Sequence, residues 1–151
     1  MNFGLALGAG AVAGAGFCAY VHRRHPRHET LVYAAALVYI AAVYVGPALA
    51  RGAPGDAFEL LASVGFFLLA IAGLAGAEVW LAAGYILHGM WDAFHVDLAH
   101  TVLPAWYAPA CIGFDWVVGV WILRSMKRKR AAARAAAASA ERPIDARGPA
   151  Q

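Results

Sequence analysis

The stretch NFGLALGAGAVAGAGFCAYV at residues 2–21, followed at 22–28 by HRRHPRH, decides the fold class. An uncharged run of about 20 residues spans about 30 Å as a helix, the thickness of a bilayer's hydrocarbon core. No Lys or Arg precedes it, whereas Arg23, Arg24 and Arg27 follow it directly. A cleaved signal peptide carries its positive charge in front. Charge placed behind predicts a retained span whose amino end lies outside and whose carboxyl end meets the cytoplasm. Gly4/Gly8 and Gly10/Gly14 repeat at four-residue spacing, which lets a second helix approach closely. That helix belongs either to this chain or to a second copy, so a homo-oligomer through the glycine-rich first helix is one reading.

Four more apolar segments follow. Residues 30–50 form the second span, with Gly46-Pro47 kinking or ending it near the far side. Arg51-Gly-Ala-Pro-Gly-Asp56-Ala57 reads as a tight loop. Residues 58–74 and 77–96 would measure about 57 Å as one helix, nearly twice the hydrocarbon thickness, so a hairpin at Gly73 and Gly76 is expected. Residues 97–108 connect at the surface, with Pro104, Trp106 and Tyr107. Pro109 then suits the first turn of a fifth span reaching Arg124.

Composition agrees. The chain has 151 residues, 62% hydrophobic and 14% charged. Soluble domains run about 45–50% apolar and about 25% charged, and a domain this small keeps much of its surface wet. The expectation is an all-α polytopic transmembrane bundle of about five helices in the inner membrane. Its bundle covers residues 1–124, and residues 125–151 form a basic, Ala-rich cytoplasmic tail, partly disordered. Topology can be checked by charge. Three of the twelve Lys and Arg residues lie in the first loop, eight lie from Arg124 onward, and only Arg51 falls outside. Lys127, Arg128, Lys129 and Arg130 are placed to meet anionic lipid headgroups. The net charge of +3 does not mark a nucleic-acid binder, because no basic, aromatic-studded soluble domain is present to hold a strand.

Ionisable groups inside such spans are costly, so each asks for a reason. His88, Asp92 and His95 recur at spacings of four and three, which puts them within about 60° on one helix face. Asp115 lies early in the fifth helix, Glu59 opens the third, and His100 stands in the outer connection. The topology assigns all of these to the outer half of the bilayer, with helices four and five able to set Asp115 opposite His88 or Asp92. Imidazole with carboxylate suits zinc or another divalent transition metal. His88 and His95, about 10.5 Å apart along the axis, do not reach one ion together. The metal candidates are His88, Asp92, His95, His100 and Asp115, with Asp92 and Asp115 as candidate catalytic bases. Two rival readings stay open: a hydrogen-bonded packing network in a structural or partner protein, and a proton or ion relay. Glu78, near the inner turn, reads as solvated. Cys18 and Cys111 fall near opposite faces, too far apart to pair.

The run Leu87-His88-Gly-Met-Trp91-Asp92-Ala-Phe-His95, then Leu103-Pro104, Cys111 and Phe114-Asp115, resembles an uncharacterised family of small bacterial integral membrane proteins. Its members share a His-x-x-Trp-Asp-x-x-His-like helix, a proline-bearing connection and a further helix with an aspartate. Val96 stands where members often carry a second histidine. The resemblance implies a membrane bundle and highlights His88, Asp92, His95 and Asp115, but implies no activity.

Overall fold

The computed structural model of the chain describes residues 2–46, 49, 56–99 and 103–140, excluding the side chains of residues 56 and 95–99. Five long helices are found among the described residues: α1 (Phe3–Arg24), α2 (Glu29–Ala42), α3 (Asp56–Leu74), α4 (Glu78–Ala99) and α5 (Tyr107–Ala140). The chain is therefore all-helical, as its apolar blocks predict. By length and hydropathy alone, two described helices suffice to cross a bilayer, Phe3–Arg24 and Ala57–Leu74.

Local chemistry sets the helix ends. Asn2 caps α1, its Oδ1 accepting from the Leu5 amide at 2.8 Å. At the other end Pro26 bars His25 from helical backbone, and α1 stops at Arg24. The turn between α3 and α4 passes through Gly76 at φ 100°, a conformation that side chains resist, so the expected hairpin forms there.

The second helix departs from expectation. Rather than running through residues 30–50, α2 stops at Ala42 and turns at Val43 and Tyr44, with helical backbone again at Val45 and Gly46. A proline at 47 lacks the N–H that the Val43 carbonyl would accept in an unbroken helix, so the regular ladder fails one turn earlier. The turn aims Tyr44 into the bundle, with a consequence for the site described below. The fifth helix continues unbroken past Arg124, since alanine and basic residues are strong helix formers.

Neighbouring contacts give the directions. Gly10 and Gly14 of α1 lie against Ala110 and Phe114 of α5, and the His22 ring meets Trp121, so these two helices run parallel. The approach is so close that a Cβ at Gly10 would collide with the Ala110 carbonyl, and one at Gly113 with that of Leu7. The small-residue face expected of α1 is thus used within the chain, whereas Gly8 and Gly16 face open space. Helix α4 runs antiparallel to α5 and to α3, with Gly73 against Leu81 at the hairpin base and Gly119 against Tyr85 and Ile86. Helix α2 packs on α3 and α4: Ser63 Oγ donates to the Ala41 carbonyl at 3.0 Å, and the buried Tyr85 hydroxyl donates to the Tyr33 carbonyl at 2.7 Å.

One end of the bundle gathers the basic residues. There His22 Nδ1 lies 2.6 Å from Glu29 Oε1, and Arg128 covers the Trp121 ring. Glu78 is not simply solvated, as its sequence position implies. Its Oε1 accepts from Lys129 Nζ at 2.8 Å and from Thr30 Oγ1 at 3.1 Å, because antiparallel packing carries the long α5 back alongside the start of α4.

Candidate functional site

The opposite end holds the acids and histidine that the core would otherwise exclude. His88 and Asp92 are one turn apart on α4, and both point into the bundle, 1% and 0% exposed. Gly89 brings α5 near: a side chain there would run into Trp116. Asp115, also 0% exposed, thereby reaches His88 across the interface. His88 Nδ1 stands 2.8 Å from Asp115 Oδ2 and 3.5 Å from Asp92 Oδ2. Had Asp115 faced away from α4, no shared pocket would exist.

Three residues close the cluster. The Phe66 ring of α3 packs edge-on against the His88 imidazole, with centroids 4.9 Å apart. Glu59 of α3 is buried and within electrostatic reach of both His88 and Asp92. From the turn after α2, the Tyr44 hydroxyl donates to Asp92 Oδ1 at 2.8 Å. Tyr44 escapes sequence reasoning because it is neutral and lies in a segment read as plain apolar span. Its signal was positional: Tyr33, Leu37 and Ala41 form the buried stripe of α2, and Tyr44 extends that stripe by another turn.

Two oxygens stand out. Asp92 Oδ2 and Asp115 Oδ1 are buried and have no hydrogen-bond partner among the described residues. A buried carboxylate oxygen without a donor carries a desolvation cost of about 1–3 kcal/mol, more when charged. Tyr33 Oη and Trp121 Nε1 are likewise unpartnered, but these are neutral groups and lie toward the basic end. One ligand atom from each of His88, Asp92 and Asp115 falls within 4.8 Å of the others, the one such group of three among the described residues. Donors bound at about 2.0–2.1 Å to a tetrahedral ion stand about 3.3 Å apart. The 2.8 and 3.5 Å separations around His88 Nδ1 bracket that value. With all three ligand atoms within 4.8 Å of one another, the geometry permits a small divalent cation.

The remaining sequence candidates fare differently. The His95 side chain and the whole of His100 lie outside the described residues. His88, Asp92 and Asp115 are brought together. Cys111, one turn before Asp115 on α5, is free and lies within electrostatic reach of both aspartates, while Cys18 is free and buried in the core cluster.

Fold and site together define a small all-helical protein with a buried His/Asp/Asp cluster between two antiparallel helices. More particularly, the chain belongs to DUF6010, a family of unknown function, whose model matches residues 6–128. That match takes in all five helices but stops within α5, before its exposed alanine-rich end. No curated protein and no solved structure matches the chain.

Proposed function

We propose that the protein is a five-span inner-membrane protein holding a divalent transition metal, zinc foremost, at His88, Asp92 and Asp115, for chemistry on a membrane-soluble substrate. The observation that carries the metal reading is a buried triad, one ligand atom from each of His88, Asp92 and Asp115 within 4.8 Å of the others, in which each aspartate also keeps an oxygen without a hydrogen-bond partner among the described residues. A cation bound among them would offset the desolvation cost of both carboxylates at once.

The membrane reading draws support from an inverted surface. Phe94, Val12 and Tyr39 are 82%, 75% and 74% exposed, and large apolar side chains cover the outside of α1, α3 and α4, while His88, Asp92 and Asp115 are hidden within. In water that surface would far exceed the apolar patch a monomer tolerates; in lipid it is the expected one. The grouping of described basic residues at one end supports an external amino end and a cytoplasmic tail, with Lys127, Arg128, Lys129 and Arg130 toward anionic headgroups.

His88, Asp92 and Asp115 would hold the ion, which would supply Lewis acidity toward a substrate or water oxygen. The chain's own residues prepare that setting. Phe66 excludes water from one face of His88, and Tyr44 orients Asp92 through Oδ1, leaving Oδ2 for the ion. The donor set combines one imidazole with two carboxylates, which leaves positions free for substrate.

Elemental analysis of protein purified in mild detergent tests this. We expect close to one equivalent of transition metal in the wild type and at least tenfold less in His88→Ala, with helicity by circular dichroism unchanged. Absence of metal from the wild type, after growth with zinc, iron and manganese supplied, would sink it. The 2.8 Å His88–Asp115 contact favours a second reading, a proton-sharing packing network. That reading expects a metal-free protein that His88→Ala destabilises.

A further inference from the structure

Beside the cluster lies an open apolar groove of about 210 Å³, lined by Gly10 and Ala13 of α1, Ile40 of α2, Tyr107 and Cys111 of α5, and Trp106. Two features of the fold make it. Helices α1 and α2 meet through Phe17–Tyr33 and His22–Glu29, toward the basic end, and the groove occupies the wedge between them at the other end. Close packing of α1 on α5 through Gly10 then supplies a floor without side chains.

The groove adjoins the polar cluster. Tyr107 packs edge-on against Tyr44, with centroids 6.4 Å apart, and the Tyr44 hydroxyl holds Asp92. Cys111 shares a helix face with Asp115, one turn away. An apolar groove thus lies one layer of side chains away from a buried His/Asp/Asp group, and Trp106 and Tyr107 are of the type that sits at headgroup level. Covering an open apolar groove with hydrocarbon rather than water is favourable.

We infer that the groove is the tail subsite of the protein's substrate: it receives the hydrocarbon chain of a bilayer lipid whose polar linkage lies toward His88, Asp92 and Asp115. The inference rests on the proposed metal site for its chemistry, but its occupant is argued from the groove alone. A lipid enters sideways from the membrane, tail into the wedge, so that no charged group has to cross apolar protein.

The test reconstitutes the full chain into phosphatidylcholine vesicles containing a phosphatidylcholine with a diazirine midway along one acyl chain. Illumination is followed by mapping of the labelled peptides. Labelling of residues 106–114 should exceed that of the lipid-facing stretch 61–68 of α3 several-fold. Ala13→Trp, which fills the wedge from an exposed position, should reduce the 106–114 labelling about tenfold, and Ala13→Leu by less. Both should leave α3 labelling and the unfolding temperature unchanged. Labelling no higher at 106–114 than along α3, or undiminished in well-folded Ala13→Trp, overturns the inference. So does a chain-to-chain cross-link through 106–114, which would give the groove to a second copy. Elemental analysis of the same samples separates the two readings: metal without selective labelling removes only the lipid subsite, and selective labelling without metal removes only the metal.

Discussion

At the basic end of the bundle, Glu78 meets Lys129 and Thr30 with its carboxylate about one quarter exposed and the lysine more than half exposed. At the other end, Asp92 and Asp115 are fully buried around His88, and each keeps an oxygen without a donor among the described residues. Both regions join an acid to a base across α4 and α5, so sequence distance and helix pairing do not distinguish them. Solvent does. Water screens the Glu78 pair and completes whatever hydrogen bonds it lacks, so the arrangement is weak and self-sufficient. The His88 cluster is shut off from bulk solvent, so its bonding capacity has to be met from within the bundle. Functional sites tend to occur where that capacity is retained.

The sharpest way to break this comparison is Asp115→Ala. It removes the 2.8 Å partner of His88 and leaves Asp92 as the adjacent acid on α4. Cutting one member from a buried charge pair costs about 3–5 kcal/mol, so the variant should unfold in detergent at a markedly lower temperature and retain no metal. A loss below about 1 kcal/mol would mean that the cluster resembles its exposed counterpart.

Tyr44→Phe should have a middling effect. It deletes one hydroxyl and strands Asp92 Oδ1, at a cost of about 1–3 kcal/mol. If Asp92 is a ligand, metal affinity should also fall about 10–100-fold, as it does when an orienting partner is lost. Chelator competition measures the affinity and thermal unfolding the stability. Destabilisation with unchanged metal retention would separate Tyr44 from the ligand set.

Glu78→Gln should matter least, by about 0–1 kcal/mol, with the difference vanishing in molar salt because the pair is open to ions. The same salt series should leave the Asp115→Ala deficit nearly intact. Unfolding temperatures of both variants across salt concentration make that contrast directly measurable.

Much of the helix plan was legible before any coordinates. The hairpin at Gly76 follows from a length limit and a glycine, and the shared face of His88 and Asp92 follows from a spacing of four. The pairing of Asp115 with His88 was one of two partners open to it, because adjacency of α4 and α5 leaves the rotation of each helix undetermined. Other features were hidden. Tyr44 comes from the turn after α2 and Phe66 from α3, and neither is marked locally as a neighbour of an imidazole on α4, whereas Glu59 of α3 was already among the outer-half candidates. Glu78 was misread for the same reason: its partner Lys129 lies far along the chain and meets it only because α5 extends past the bundle.

The sequence by itself determined that this protein is all helix, roughly where its helices begin and turn, and which residues of α4 share a face. Those properties depend on backbone periodicity, caps, breakers and segment length, all of which act within a few residues. Only the tertiary structure decided that Tyr44 meets Asp92, that Gly10 and Gly14 are used against α5, and that two aspartates close on His88. Those outcomes depend on axial register and rotation between helices, set by side-chain packing summed over whole interfaces.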